Sequence, residues 1–104
     1  MKPERDKILV VDDIELNRAI LGELFYGHFD VIEAENGEMA LKYIQKYSDR
    51  IAVVLLDIIM PRMNGFDVLR EMNKTGMIQT IPVILITGEK DDEMSLKGYA
   101  MGIS

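Results

Sequence analysis

The sequence has no cysteine and a single histidine, His28, in 104 residues. Without cysteine, a disulfide framework, a thiolate zinc site and a cysteine nucleophile are excluded. No apolar run approaches the length that a membrane helix needs, and the charged residues 1–6 do not contain the apolar core of a secretory signal. We therefore predict a cytoplasmic protein that makes no membrane contact.

Positive charge is in the minority, since 12 Lys and Arg stand against 18 Asp and Glu and the net charge is −6. Phosphate backbones attract basic surfaces, so this balance argues against direct nucleic-acid binding. Apolar residues make up 48% of the chain and charged residues 29%, a composition typical of soluble globular proteins. A chain of this length holds one hydrophobic core, and we predict a single domain over residues 1–104.

Apolar runs alternate with segments of helical periodicity along the whole chain. The predicted strands are residues 7–11, 29–34, 51–56 and 82–86, and the predicted helices are residues 14–26, 39–47, 66–73 and a segment capped by Asp91 or Asp92. Gly27 and Gly76 are expected to end helices, whereas residues 58–65, which include Pro61, are expected to form a loop. Wholly apolar strands between amphipathic helices indicate an α/β fold, with a doubly wound parallel sheet covered on both faces.

Polar residues follow three of the predicted strands directly. Asp12 and Asp13 follow the first strand, Asp57 the third and Thr87 the fourth. Right-handed crossovers place the carboxyl ends of all the strands at one edge of the sheet, so these side chains are expected to converge there. Clustered carboxylates repel one another unless a cation neutralises them, and oxygen ligands without His or Cys favour Mg²⁺. A carboxylate beside such an ion is also a plausible phosphoryl acceptor.

These residues resemble the receiver domains of two-component response regulators. The resemblance rests on Asp12-Asp13, on Asp57, on the segment Met-Pro-Arg-Met-Asn-Gly at residues 60–65 and on Thr87-Gly88, and it runs through nearly the whole chain. It implies a flavodoxin-like fold with strand order 2-1-3-4 for the strands present here. It also implies phosphorelay signalling with a sensor histidine kinase or a phosphotransfer protein as partner, rather than an enzyme.

The resemblance also implies a role for each site residue. Asp57 would accept the phosphoryl group from a phosphohistidine. Asp13, Asp57 and the backbone carbonyl of Ile59 would bind Mg²⁺, with Asp12 acting largely through water. The hydroxyl of Thr87 would move toward the phosphoryl group and drive a conformational switch.

Each of these residues also has a purely structural interpretation. Asp12-Asp13 could cap the first helix, where Asp is favoured, and Thr87 could simply end a strand. We expect His28 to lie in a surface loop. Asn17, one helical turn from Asp13, could face the acidic pocket or solvent, and we expect solvent.

The sequence departs from the family at its end. Receiver domains continue into a fifth strand that carries a lysine and into a fifth helix, and neither is found before Ser104. Lys90 is the nearest lysine in sequence, but we do not expect it to substitute. The fourth strand would then be an edge with unpaired backbone groups, and apolar surface on the first helix would be exposed. Two hypotheses follow: self-association through this edge, or a fragment of a larger regulator.

Two other functions compete with the phosphoacceptor. A phosphohydrolase with an aspartyl nucleophile usually carries a second Asp two residues later, where this chain has Ile59. A degenerate interaction module without phosphotransfer would explain the missing lysine, although the acids and Thr87 oppose it.

Overall fold

The computed structural model describes residues 5–86. Strands and helices alternate along this part of the chain. They are β1 Lys7–Val11, α1 Glu15–Phe25, β2 Asp30–Ala34, α2 Gly37–Lys46, β3 Ile51–Asp57, α3 Gly65–Thr75 and β4 Val83–Ile86, with a short 3-10 helix at Met77–Gln79 before β4. No helix among these residues is both long enough and apolar enough to cross a bilayer.

The four strands form one parallel sheet in the order β2-β1-β3-β4. This order confirms the doubly wound flavodoxin-like fold predicted from the sequence. Because every pairing is parallel, the carboxyl ends of all four strands lie at the same edge. Within residues 5–86, β4 pairs only with β3, and its Ile84 is 46% exposed.

The helices cover both faces of the sheet, as the apolar strands predict. Alternate residues of β1 point to opposite faces. Leu9 and Val11 join the larger core beneath α2 and α3, whereas Ile8 and Val10 pack with Leu21 and other residues of α1. Both faces of β1 are therefore buried, which explains why residues 8–11 are all apolar.

The structure corrects one expectation for the first helix and confirms another. It begins at Glu15, after Ile14, and no side chain caps it, so the alternative role of Asp12-Asp13 as helix caps is wrong. The side chains of Leu16, Ile20 and Leu24 are 56–67% exposed, which confirms the expectation of exposed apolar surface on α1.

Glycine and asparagine lie at several of the helix ends. Gly27 and Gly76 follow helices with φ of 90° and 80°, as expected of residues that end them. The expected loop at residues 58–65 is one residue too long, because Gly65 is the first residue of α3 and Asn64 is its N-cap. The strand predicted from residue 29 begins at Asp30. The helix predicted after Asp91 or Asp92 lies outside the described residues.

Candidate functional site

Three carboxylates meet at the carboxyl edge of the sheet. Asp12 and Asp13 come directly after β1, and Asp57 is the last residue of β3. One carboxylate oxygen from each lies within 4.8 Å of the other two. The predicted convergence of these acids is therefore observed, although Asp57 is 44 and 45 positions along the chain from Asp13 and Asp12.

Hydrogen bonds orient the Asp12 carboxylate. Asp12 is only 4% exposed, and its Oδ1 accepts a hydrogen bond of 2.9 Å from the backbone N–H of Ile14. Its backbone carbonyl accepts one of 2.8 Å from Arg18, whose guanidinium also pairs with Glu33 at 2.9 Å. These hydrogen bonds therefore hold the Asp12 carboxylate facing Asp57.

The Asp57 carboxylate is buried among like charges. Asp57 is 8% exposed, and its Oδ1 accepts a hydrogen bond of 3.2 Å from the backbone N–H of Ile59. Burial first, and then the charge of Asp12, raise the pKa of Asp57 to about 6, with a smaller contribution from Asp13. The backbone amides of Ile59 and Ile58 act in the opposite direction and only partly compensate.

The donor set of this cluster fits a hard divalent cation. Among residues 5–86, none of the ion pairs involves Asp12, Asp13 or Asp57. The cluster contains only carboxylate oxygens, which are the ligands that Mg²⁺ prefers. Asp13 is exposed, so the cluster opens to solvent on one side.

The loop of residues 58–64 lies against the acidic cluster and has an unusual backbone. A Cβ at Gly65 would lie 2.6 Å from the carbonyl oxygen of Asp57, so only glycine allows this approach. The Gly65 N–H donates to the carbonyl of Ile58 at 2.9 Å. Arg62 has a φ of 66°, the left-handed region that non-glycine residues rarely adopt.

Some of these features escaped the sequence interpretation. Asn17, expected in solvent, is half-buried and lines a small hollow together with Asp12. The approach of Gly65 to Asp57 was also missed, because the Asn64-Gly65 pair alone indicates only a turn. His28 is exposed, as expected. Thr87, Gly88 and Lys90 lie outside the described residues.

Sequence and structure comparisons agree on one family. The family model "Response regulator receiver domain" matches residues 8–104. The phosphodiesterase regA of Dictyostelium discoideum is 40% identical over 91 residues, 86% of this chain and 12% of the relative. The CpxR homolog of Haemophilus influenzae, a transcriptional regulatory protein, is 36% identical over 95 residues, 91% of this chain and 39% of the relative. The structure of Vibrio cholerae chemotaxis protein CheY4 superposes with a TM-score of 0.82 at 29% identity, covering 94% of this chain and 81% of that one.

The chain spans less than half the length of these two curated relatives. The phosphodiesterase and transcriptional activities in their names therefore describe the longer proteins. The match to the family model covers nearly all of this chain, and the strand order and the acidic edge agree with it. The chain belongs to the response regulator receiver domain family.

Proposed function

We propose that this chain is the phosphoacceptor module of a two-component phosphorelay, in which Asp57 accepts a phosphoryl group from the phosphohistidine of a histidine kinase or a phosphotransfer protein. The observation that carries the proposal is the Asp57 carboxylate, which is buried beside Asp12 and Asp13 without a cationic side chain among the described residues. Such an arrangement is costly unless a cation binds, which favours a functional role over a structural one.

Asp12, Asp13 and Asp57, with the backbone carbonyl of Ile59, are the proposed Mg²⁺ ligands. When bound, the ion supplies positive charge that offsets repulsion between the acceptor carboxylate and the incoming phosphoryl oxygens. The protein contributes orientation: the hydrogen bond from Ile14 holds Asp12, and the one from Ile59 holds Asp57. Both hydrogen bonds are made to Oδ1 of the accepting carboxylate, and the ion or the phosphoryl group would approach its other oxygen.

The transfer exchanges one phosphorus bond for another. An oxygen of the ionised Asp57 carboxylate forms the new O–P bond while the N–P bond of the donor phosphohistidine breaks. The electron pair of the broken N–P bond remains on the imidazole nitrogen. Protonation of that nitrogen then gives the neutral histidine of the donor. The acceptor must be ionised. Because the pKa of metal-free Asp57 is raised to about 6, protons compete with the cation for this carboxylate, and a bound cation would keep it ionised for the transfer.

Ile59 supports a stable phosphoryl adduct rather than rapid hydrolysis. Its side chain is apolar and 45% exposed. It stands two residues after Asp57, where an aspartyl phosphohydrolase carries the second Asp that acts as general acid and base. We therefore propose a signalling domain and not a turnover enzyme. Thr87 remains the predicted hydroxyl donor to the phosphoryl group, since it follows Ile86, the strand partner of Asp57.

The test is incubation of the full chain with Mg²⁺ and acetyl phosphate, followed by intact-mass spectrometry. We expect one phosphoryl adduct that is lost in Asp57→Asn and in excess EDTA. Asp49→Asn makes the same chemical change at an exposed residue and should retain the adduct. A folded, Mg²⁺-binding wild type without any adduct would replace this proposal by the interaction module.

A further inference from the structure

Contacts along the loop of residues 58–64, as well as at its two ends, hold it in place. Met60 is 7% exposed and packs into the larger core. At the end of the loop, Gly65 closes against Asp57 and Ile58. Between these points the loop crosses to α2, a helix that contributes no residue to the acidic cluster.

Contact with α2 is made at its first residue, Gly37. A Cβ on Gly37 would lie 2.6 Å from Cγ and 2.7 Å from Sδ of Met63, and 2.9 Å from a methyl of Val68. The Met63 side chain therefore fills the space that any other residue at position 37 would need. Beside this contact, the guanidinium of Arg62 pairs with Glu38 at 3.2 Å. Both of those side chains are exposed, so their ion pair adds little energy.

We propose that Gly37 and Met63 position the loop that carries Ile58 and Ile59, so that α2 sets the affinity of the acidic site for Mg²⁺. The inference rests on the function proposed above and adds two positioning residues outside the cluster. Ile59 lies between the buried Met60 and the strand residue Asp57, and its N–H already orients the Asp57 carboxylate. Residues 60–62 separate Met63 from Ile59, and Met60 and Met63 pack in the same hydrophobic core, so a displaced Met63 would shift Met60 and, through it, Ile59.

Gly37→Ala separates this role from a purely local one. A purely local role predicts that the added methyl changes stability through its contacts with Met63 and Val68 but leaves Mg²⁺ binding unchanged. The positioning role predicts that the added methyl displaces Met63 and weakens Mg²⁺ binding about tenfold, as when groups that orient metal ligands are removed. Met63→Ala leaves the contact empty and should weaken binding in the same direction.

The experiment is a double-mutant cycle on the full chain, with Mg²⁺ binding measured by calorimetry. In Gly37→Ala/Met63→Ala the new methyl partly fills the space of the lost thioether, so we expect affinity to recover most of the way to wild type. In metal-free protein, exchange of the Gly65 amide hydrogen should be faster in each single variant and slower again in the double variant. Gly22→Ala is the control, because its Cβ would make an ordinary 3.4 Å contact with Val31, away from the loop.

The outcomes distinguish this inference from the function on which it rests. Wild type that binds no Mg²⁺ would refute the metal site and this inference with it. If wild type binds Mg²⁺, two results would refute the positioning role alone. One is an unchanged Mg²⁺ affinity in Gly37→Ala. The other is a double variant whose loss of affinity equals the sum of the two single losses. Should Gly37→Ala fail to fold, Met63→Ala decides, and its unchanged affinity would also overturn the inference.

Discussion

Replacement of Asp57 by asparagine is expected to stabilise the metal-free protein at neutral pH. The carboxylate is 8% exposed and faces Asp12, and its pKa is raised from the ordinary 3.8 to about 6. Folding therefore favours the protonated form of this group. Its contribution to stability is fully present below pH 3.8 and is lost as the pH rises through about 6.

The pKa difference sets the magnitude of the effect. At about 1.4 kcal/mol for each pKa unit, the ionised Asp57 costs the fold at most about 3 kcal/mol above pH 7. The cluster opens to solvent beside Asp13, which reduces this figure, so we expect Asp57→Asn to gain about 1–3 kcal/mol at pH 8. Somewhat under half of the wild-type loss, about 1 kcal/mol, should fall between pH 5 and pH 8.

Urea unfolding in EDTA at constant ionic strength, repeated from pH 5 to pH 8, measures this directly. The free energy of unfolding of wild type should fall with pH relative to Asp57→Asn, with no change in the urea m-value. Asp49→Asn removes the same charge at an exposed site and should follow wild type. Parallel pH profiles for wild type and Asp57→Asn would refute the reasoning, since the buried charge would then carry no cost. Addition of Mg²⁺ at about 100 times its dissociation constant should stabilise wild type by about 2.7 kcal/mol and Asp57→Asn by less.

Two further substitutions test the loop and its helix. Gly65→Ala would place a methyl 2.6 Å from the Asp57 carbonyl oxygen. The free energy of unfolding in urea should therefore fall by about 1–3 kcal/mol, and the yield of phosphoryl adduct should fall as well. Wild-type values for both measurements would contradict the close approach. Asn64→Ala removes the N-cap of α3 and its capping box with Asp67, which should cost about 1 kcal/mol in thermal or urea unfolding. The capping hydrogen bonds of Asn64 are made with Asp67 and not with Asp12, Asp13 or Asp57, so the Mg²⁺ affinity of the variant should stay within twofold of wild type, which calorimetry checks.

The amino-acid sequence alone determined the fold class and the place of the acidic cluster. Residues 8–11 and 51–56 are apolar at every position, which indicates strands buried on both faces. The handedness of crossovers then places the residues after these strands at one edge, whatever their distance in sequence. The convergence of Asp12, Asp13 and Asp57 could therefore be predicted from the sequence and the handedness of the crossovers.

Only the tertiary structure decided which particular side chains are buried and which of them are in contact. On α1 the periodic pattern includes Leu16 and Ile20, yet Leu21 and Phe25 face the sheet, because helical spacing does not say which of two adjoining apolar stripes is buried. The contact of Gly37 with Met63 joins residues 26 positions apart whose types, glycine and methionine, are common in turns and cores. The raised pKa of Asp57 depends on burial and on the distance to Asp12, and both are properties of the packed chain.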